Sequence, residues 1–312
     1  MSRAGSFSFE FFPPRSEEAA ARFDEARRAL LPLAPDYVSV TFGAGGSTRD
    51  LTLDTVAALQ KDGGVPVAPH ISCIGATAQS LRELLEAYRA LGIRRLVALR
   101  GDLPSGMGDA PGEFRYASDL VAFIRRETGD WFHLEVAAYP EVHPQARSAR
   151  ADLEAFVRKV HAGADGAISQ YFFNADAYFR FCDEAAAQGV AVPIVPGVMP
   201  ITNYTQLARF SAACGAEIPR WLARRLEDFG DDLDGLRAFG FDVTLALCRR
   251  LLDGGAVAGL GPAPALSAPG VCGLAPLLEC RHGRSPGPQP PPPDRHAGAG
   301  GRQLPPQRHL YL

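Results

Sequence analysis

Lysine is almost missing from this chain: of 32 basic residues in 312, only Lys61 and Lys159 are lysine. The bias toward arginine is what a GC-rich coding sequence produces. A net charge of -3 offers no electrostatic case for binding nucleic acid or an anionic membrane. Cysteine is sparse and scattered. Cys73, Cys182, Cys214, Cys248, Cys272 and Cys280 form no CxxC pair and no short Cys/His cluster. That argues against structural zinc and against a secreted disulfide framework, so reduced thiols in a cytoplasmic protein are expected. HExxH is absent, and no metal site is expected. No uncharged apolar stretch reaches the roughly 18 residues of a membrane helix. The N-terminus has neither the apolar core nor the cleavage site of a signal peptide. Nucleotide signatures are missing too. Gly43-Ala44-Gly45-Gly46-Ser47-Thr48 fails GxGxxG at its last glycine, and neither lysine completes a Walker A motif.

The composition that remains, 46% hydrophobic and 21% charged, is that of an ordinary globular protein. Strand patterns at 7–12, 37–42, 67–73, 95–100, 133–138, 167–172 and 192–198 alternate with helical patterns at 17–31, 51–61, 78–91, 117–127, 151–162 and 175–188. Two more helical stretches follow, at 204–213 and 233–252. Ser16, Thr77 and Asp176 stand where N-caps are expected. Strict β–α alternation implies parallel strands with helical crossovers. Seven units in one run, with no glycine fingerprint after the first strand, favour an α/β fold of the (β/α)₈ TIM-barrel type over a doubly wound sheet. The eighth strand is missing or replaced. Residues 1–255 read as the barrel domain. Residues 256–312, rich in proline and glycine and with Glu279 and Asp294 as the only acids, read as an aberrant tail expected to be disordered. Two origins fit the tail: a disordered extension of a complete domain, or GC-rich DNA read out of frame from about Ala256, the preferred one.

Barrel enzymes carry their chemistry at the C-terminal ends of the strands. Glu10, Thr41, His70, Arg100 with Asp102, Tyr139 and Gln170 lie at or near the ends of six successive strand patterns. Period-two alternation turns Phe7, Phe9 and Phe11 toward the helices, and Ser8, Glu10 and Phe12 into the barrel. An inward carboxylate among aromatic rings suits a general acid, because burial disfavours its charged form. The competing reading pairs Glu10 with an inward arginine such as Arg100. Gly101 would let the backbone approach a ligand, though Arg100-Gly101-Asp102 is equally a simple turn. His70, in a strand after Pro69, is by type more often a hydrogen-bonded core residue than a ligand. In Tyr139-Pro140-Glu141-Val142-His143-Pro144, two prolines bracket polar side chains in a stiff loop.

Together these segments resemble the methylenetetrahydrofolate reductases. The matching motifs run from Phe9-Glu10-Phe11-Phe12-Pro13-Pro14-Arg15 through Val40-Thr41-Phe42-Gly43-Ala44, Ala68-Pro69-His70, Leu99-Arg100-Gly101-Asp102-Leu103-Pro104 and Tyr116-Ala117-Ser118-Asp119-Leu120. They continue through Ala138-Tyr139-Pro140-Glu141-Val142-His143-Pro144 and Gln170-Tyr171-Phe172-Phe173 to Pro196-Gly197-Val198-Met199-Pro200. The resemblance covers roughly residues 6–255. It implies reduction of 5,10-methylenetetrahydrofolate to 5-methyltetrahydrofolate by NADH or NADPH through non-covalent FAD, in one-carbon metabolism and methionine biosynthesis. Nicotinamide and folate would take turns at one flavin face, a ping-pong scheme. By the same carry-over Glu10 is the general acid and Asp102 the carboxylate beside the flavin. Gln170 bonds the pterin, and Phe210 packs on either substrate. Thr41, His70, Arg100, Gly101, Asp102, Tyr116, Ala117, Tyr139, His143, Asp152 and Lys159 are the implied FAD contacts.

One departure stands out. The family closes its barrel with a strand reading roughly HFYTLNR, whereas this chain has Gly259-Leu260-Gly261-Pro262-Ala263-Pro264-Ala265-Leu266. Two rivals follow: a flavin-binding but catalytically impaired remnant, and a barrel flavoprotein oxidising an amino acid such as proline. Neither the choice of NADH or NADPH nor the oligomeric state, a homo-oligomer included, can be read from the residues.

Overall fold

The computed structural model describes residues 7–42, 49–101, 112–256 and, for the backbone alone, 265–267. Asp102 lies outside them, as does the 43–48 glycine loop. Strands β1 (Ser8–Phe11), β2 (Tyr37–Val40), β3 (Val67–Ser72), β4 (Arg95–Leu99), β5 (His133–Ala138), β6 (Gly166–Ser169) and β7 (Ile194–Val195) run parallel in sequence order. Helices α1 (Glu17–Leu30), α2 (Arg49–Asp62), α3 (Ala78–Ala90), α4 (Ala117–Thr128), α5 (Ala149–His161) and α6 (Ala175–Ala187) provide the crossovers. Beyond β7 come α7 (Tyr204–Cys214), α8 (Arg220–Glu227) and α9 (Leu233–Asp253). The α/β barrel-type fold is the one the alternation predicts.

Helix starts follow the capping chemistry. Ser16 accepts from the Ala19 amide at 3.2 Å, and Thr77 and Ser80 cap each other reciprocally. At α6 the expected cap, Asp176, is wrong: Asn174 caps the helix, accepting from the Asp176 amide at 3.0 Å, and Asp176 sits in the first turn. Either residue type can cap, and only the backbone path chooses between them. Helix α8 was not anticipated. Its eight residues are too short for a periodic signal to stand out. Strand β7 is two residues long where seven were expected, because Pro193 and Pro196 have no amide to donate to a ladder.

The eighth strand is replaced, as the sequence reading allows: Ala265–Ser267, β8, lies parallel to β1 with Ser8 opposite Ala265 and Glu10 opposite Ser267. Three residues of alternating small and apolar type within a proline-rich run give no pattern that periodicity could detect. Among the described residues β7 pairs with β6 alone, so the sheet runs from β7 round to β8 with a seam between them. The outer layer is apolar and continuous. Phe7, Phe9, Phe11, Val38, Val40, Ile71, Leu96, Ala98, Leu134, Val136 and Ala167 join one core cluster with the inner faces of the helices. Alternation therefore leaves Ser8, Glu10, Tyr37, Ser39, His70, Ser72, Arg95, His133 and Glu135 pointing the other way, into the barrel. Barrel interiors are usually filled by branched apolar side chains, so a lining this polar is informative.

Candidate active site

Strand β1 places Glu10 inward as predicted, and its partner is not Arg100. His70, from β3, brings Nε2 to 3.3 Å from Glu10 Oε2, with only 9% and 15% of the two side chains exposed. The alignment is too poor for a hydrogen bond, so this buried His70 Nε2 has no hydrogen-bond partner. A carboxyl and an imidazole so placed can hold and pass a proton. Arg100 turns away to the Gln145 side-chain carbonyl.

A second group gathers beyond the ends of β4 and β5. Gln145 receives Arg100, and its amide donates to His143 Nδ1 at 3.0 Å. The His143 amide donates to Asp152 Oδ2 at 2.8 Å, and the His143 ring meets Tyr139 edge-on at 4.5 Å between centroids. Lys159, from the last turn of α5, donates to the Ala137 carbonyl. Lys159 is half-buried among these groups. That burial brings its pKa down to about 8, against the attraction of Asp152 and with the repulsion of Arg100. Two cations facing one carboxylate leave an excess of positive charge where the ends of β4 and β5 meet α5, a setting suited to an anionic group. Gln145 was missed from the sequence. Its only signal is its place directly after the second proline of the stiff loop.

That loop is held under strain. Val142 has φ 75, a left-handed conformation that a β-branched residue rarely adopts. Glu141, just before it, accepts the Glu217 amide at 2.7 Å, and burial pushes its carboxyl above the usual range. The β5 loop is thereby tied to the turn after α7. On the same side, the Tyr171 and Ser211 hydroxyls meet at 3.0 Å, joining the end of β6 to α7. Gln170 and Phe210 are the immediate neighbours of that pair. The Gln170 side-chain oxygen accepts the Tyr171 amide at 3.0 Å, and Phe210 is 37% exposed.

The other predicted contacts are spread along the same rim. Thr41 uses its backbone, donating to Phe11 and accepting the Thr52 hydroxyl at 3.0 Å. Tyr116 is the N-cap residue of α4, exposed to 54%, and Ala117 opens that helix. At Gly101 φ is +89 and a Cβ would lie 2.1 Å from Ser72 Oγ, so the missing side chain makes room for β3. Among the described residues no group of His, Cys, Asp or Glu could hold a metal ion, and no helix is long and apolar enough to cross a membrane.

Comparison with known proteins identifies the family. A family model described as methylenetetrahydrofolate reductase matches residues 2–261, so residues 262–312 fall outside it. The 5,10-methylenetetrahydrofolate reductase of Escherichia coli K12 is 41% identical over 244 residues, which is 78% of this chain and 81% of that protein. Methylenetetrahydrofolate reductase (NADH) 1 of Arabidopsis thaliana is 36% identical over 262 residues, 80% of this chain but 44% of the plant protein. An uncharacterized protein from Clostridium thermocellum, solved with two copies of 5-methyl-5,6,7,8-tetrahydrofolic acid, superposes with a TM-score of 0.63 at 18% identity. That match covers 89% of this chain and 93% of that one, and it speaks for the fold alone.

Proposed function

The chain belongs to the methylenetetrahydrofolate reductase family, and we propose that it reduces 5,10-methylenetetrahydrofolate to 5-methyltetrahydrofolate, taking electrons from NADH or NADPH through non-covalently bound FAD in a ping-pong cycle in the cytoplasm. The named relatives support folate one-carbon reduction. The observation that carries the reading for this chain is Glu10: the one inward carboxylate of β1, shielded from water and set against an unsatisfied imidazole nitrogen.

The residues present fit FAD. Lys159 and Arg100 supply the positive charge that a pyrophosphate requires, and Asp152 and Gln145 hold the loop that carries His143. His70 Nε2, buried beside Glu10 and without a hydrogen bond, would be free to offer one to a bound ligand. When bound there, the flavin would accept a hydride and hand one on. The chain's own part is to hold substrate and to move a proton. Glu10 would protonate N10 of the folate, which opens the five-membered ring and makes the one-carbon unit electrophilic. Gln170 would bond the pterin, and Phe210, exposed on α7, would pack against nicotinamide and folate in turn. Asp102, outside the described residues, would set its negative charge beside the cationic folate.

An anaerobic flavin assay tests the proposal. The protein should purify yellow and release its flavin on denaturation. NADH should bleach it, and methylenetetrahydrofolate should restore the colour. A folded, colourless protein unable to take up added FAD would sink the reading. Reoxidation by folate together with reduction by proline would move it to the amino-acid-oxidising rival. Bleaching by NADH without reoxidation by folate would leave the impaired remnant.

A further inference from the structure

The proposed reaction consumes one proton from solvent per turnover: a hydride goes to the one-carbon unit, and a proton from Glu10 goes to N10. Glu10 must then be reprotonated while flavin and folate cover the mouth of the barrel. We infer, resting on that reading, that its proton arrives from the opposite end, along a line of inward-facing groups running from His133 through Glu135 and Tyr37 to Ser8, Ser39 and Glu10.

Four observations converge on this route. First, the groups are contiguous. Ser8 stands opposite Tyr37 and Glu10 opposite Ser39 in the β1–β2 register, and Ser8 and Glu10 share one face of β1. Arg95 links the next pair, since its guanidinium lies 4.6 Å from the Tyr37 ring centre and bonds Glu135 Oε1 at 2.5 Å. His133 Nε2 lies 3.0 Å from that same Oε1.

Second, the polar atoms along the line are left unsatisfied by protein. Ser8 Oγ, Tyr37 Oη, Ser39 Oγ and Glu135 Oε2 are all buried without a hydrogen-bond partner. Ser8 and Tyr37 are near enough for the serine to ease ionisation of the phenol, yet the pair is not aligned into a proper bond. A polar plug that served packing alone would pair these atoms with one another, because a buried donor or acceptor left unmade costs about 1–3 kcal/mol. Hydroxyls and a carboxylate oxygen turned toward a shared interior are the partners that buried water molecules take, two to four bonds apiece.

Third, the line has one open end. Glu135 is fully buried, whereas a third of the His133 side chain is exposed. An imidazole in contact with solvent can take a proton on one ring nitrogen and give one up from the other. Fourth, Tyr37 is well placed to relay without ionising. Burial first, and the Glu135 charge second, push its phenol far above the usual tyrosine range. It would instead pass one proton to the Glu10 side while accepting another from the Glu135 side, and its own charge would not change. Each turnover then balances: Glu10 gives a proton to N10, the line shifts by one proton, and His133 takes one from bulk water.

Stopped-flow reoxidation of the reduced, FAD-loaded enzyme by methylenetetrahydrofolate, in H2O and D2O, tests the relay. Tyr37→Phe and His133→Ala should each slow reoxidation about tenfold or more and enlarge the solvent isotope effect. Bleaching by NADH, which uses no proton from Glu10, should stay at the wild-type rate. Added imidazole should restore His133→Ala and leave Tyr37→Phe slow, a split that a folding defect cannot produce. Ser39→Ala, the smallest change on the line, should show the same effect in weaker form if Tyr37→Phe proves insoluble. Wild-type reoxidation in the variants, or a loss with an unchanged isotope effect and no rescue, would overturn the relay. A wild-type enzyme that folate cannot reoxidise would overturn the function itself, so the two failures are distinguishable.

Discussion

At Gly101 the backbone holds φ +89 and Ser72 Oγ fills the space where a Cβ would sit. Ser72 is itself anchored, its hydroxyl donating to the Arg100 carbonyl at 2.8 Å. Gly101→Ala must therefore strain the backbone and push β3 aside, at about 1–3 kcal/mol for the left-handed conformation plus the overlap. The expected result is a lower melting temperature and reduced FAD content, measured by thermal unfolding and absorbance; an unchanged value for both would show that the loop relaxes freely. Glu10→Gln keeps the shape and removes the proton. NADH should still bleach the flavin, while reoxidation by folate falls by about 10²–10⁴. Equal damage to both half-reactions would mark Glu10 as structural. For Lys159 the sign follows from its depressed pKa of about 8. Above that value the folded protein loses the ammonium, and with it a counter-charge for pyrophosphate. Between there and the usual lysine value of 10.5 the unfolded chain binds more protons, so global stability should rise with pH across that window. FAD affinity should thus weaken between about pH 7 and 9 while the apoprotein becomes no less stable. Lys159→Met should bind FAD weakly at both ends with a flatter profile, which equilibrium fluorescence of the flavin can measure.

Among the elements, α7 is the one whose placement matters most to the site. It is short, and its own sequence does not orient it. Asn203 caps its start, accepting the Gln206 amide at 2.9 Å, and Gly215 ends it at φ 77, a position where a Cβ would meet Pro144 Cγ at 2.8 Å. Tyr171–Ser211 and Glu141–Glu217 then tie it to the ends of β6 and β5. Tyr171→Phe removes one of these ties, at about 1 kcal/mol. Because Phe210 precedes Ser211, the change should raise KM for folate more than it lowers the rate of flavin bleaching at saturating NADH. Steady-state and single-turnover measurements on the same sample separate the two. A KM at the wild-type value would show that α7 is positioned without this bond.

For the molecule as a whole, the seam between β7 and β8 governs stability. Three residues of β8 sit against β1 where the family has a full closing strand, and β7 offers only two paired residues on the other side. Exposed edges of an apolar parallel sheet invite aggregation. The lost pairing is large beside the roughly 5–15 kcal/mol that holds a domain folded. Replacing residue 257 onward by a family-like strand and final helix should raise soluble yield, melting temperature and folate turnover together. Equal performance of the two chains would show that Ala265–Ser267 closes the barrel well enough. Because β8 pairs with Ser8, Phe9 and Glu10, any gain in turnover should also appear as a steadier Glu10, visible as faster reoxidation at unchanged bleaching.

The sequence by itself determined the alternation of seven strands with their helices, the inward turn of Glu10, and the rim position of His70, Arg100, Tyr139 and Gln170. These properties follow from local periodicity, two residues per strand repeat and about 3.6 per helical turn, together with the rule that parallel strands share one catalytic end. Family motifs supplied the roles. Only the tertiary structure decided which side chains meet. His70, not Arg100, became the partner of Glu10 because β1 and β3 face the same interior across β2. Gln145 joined the site through a loop bent at Val142, and Ser72 packed into the space beside Gly101. The line from His133 to Ser39 exists only once five strands curl together. Contacts of that kind join residues tens of positions apart through backbone curvature, and curvature leaves no mark on the order of amino acids in any one segment.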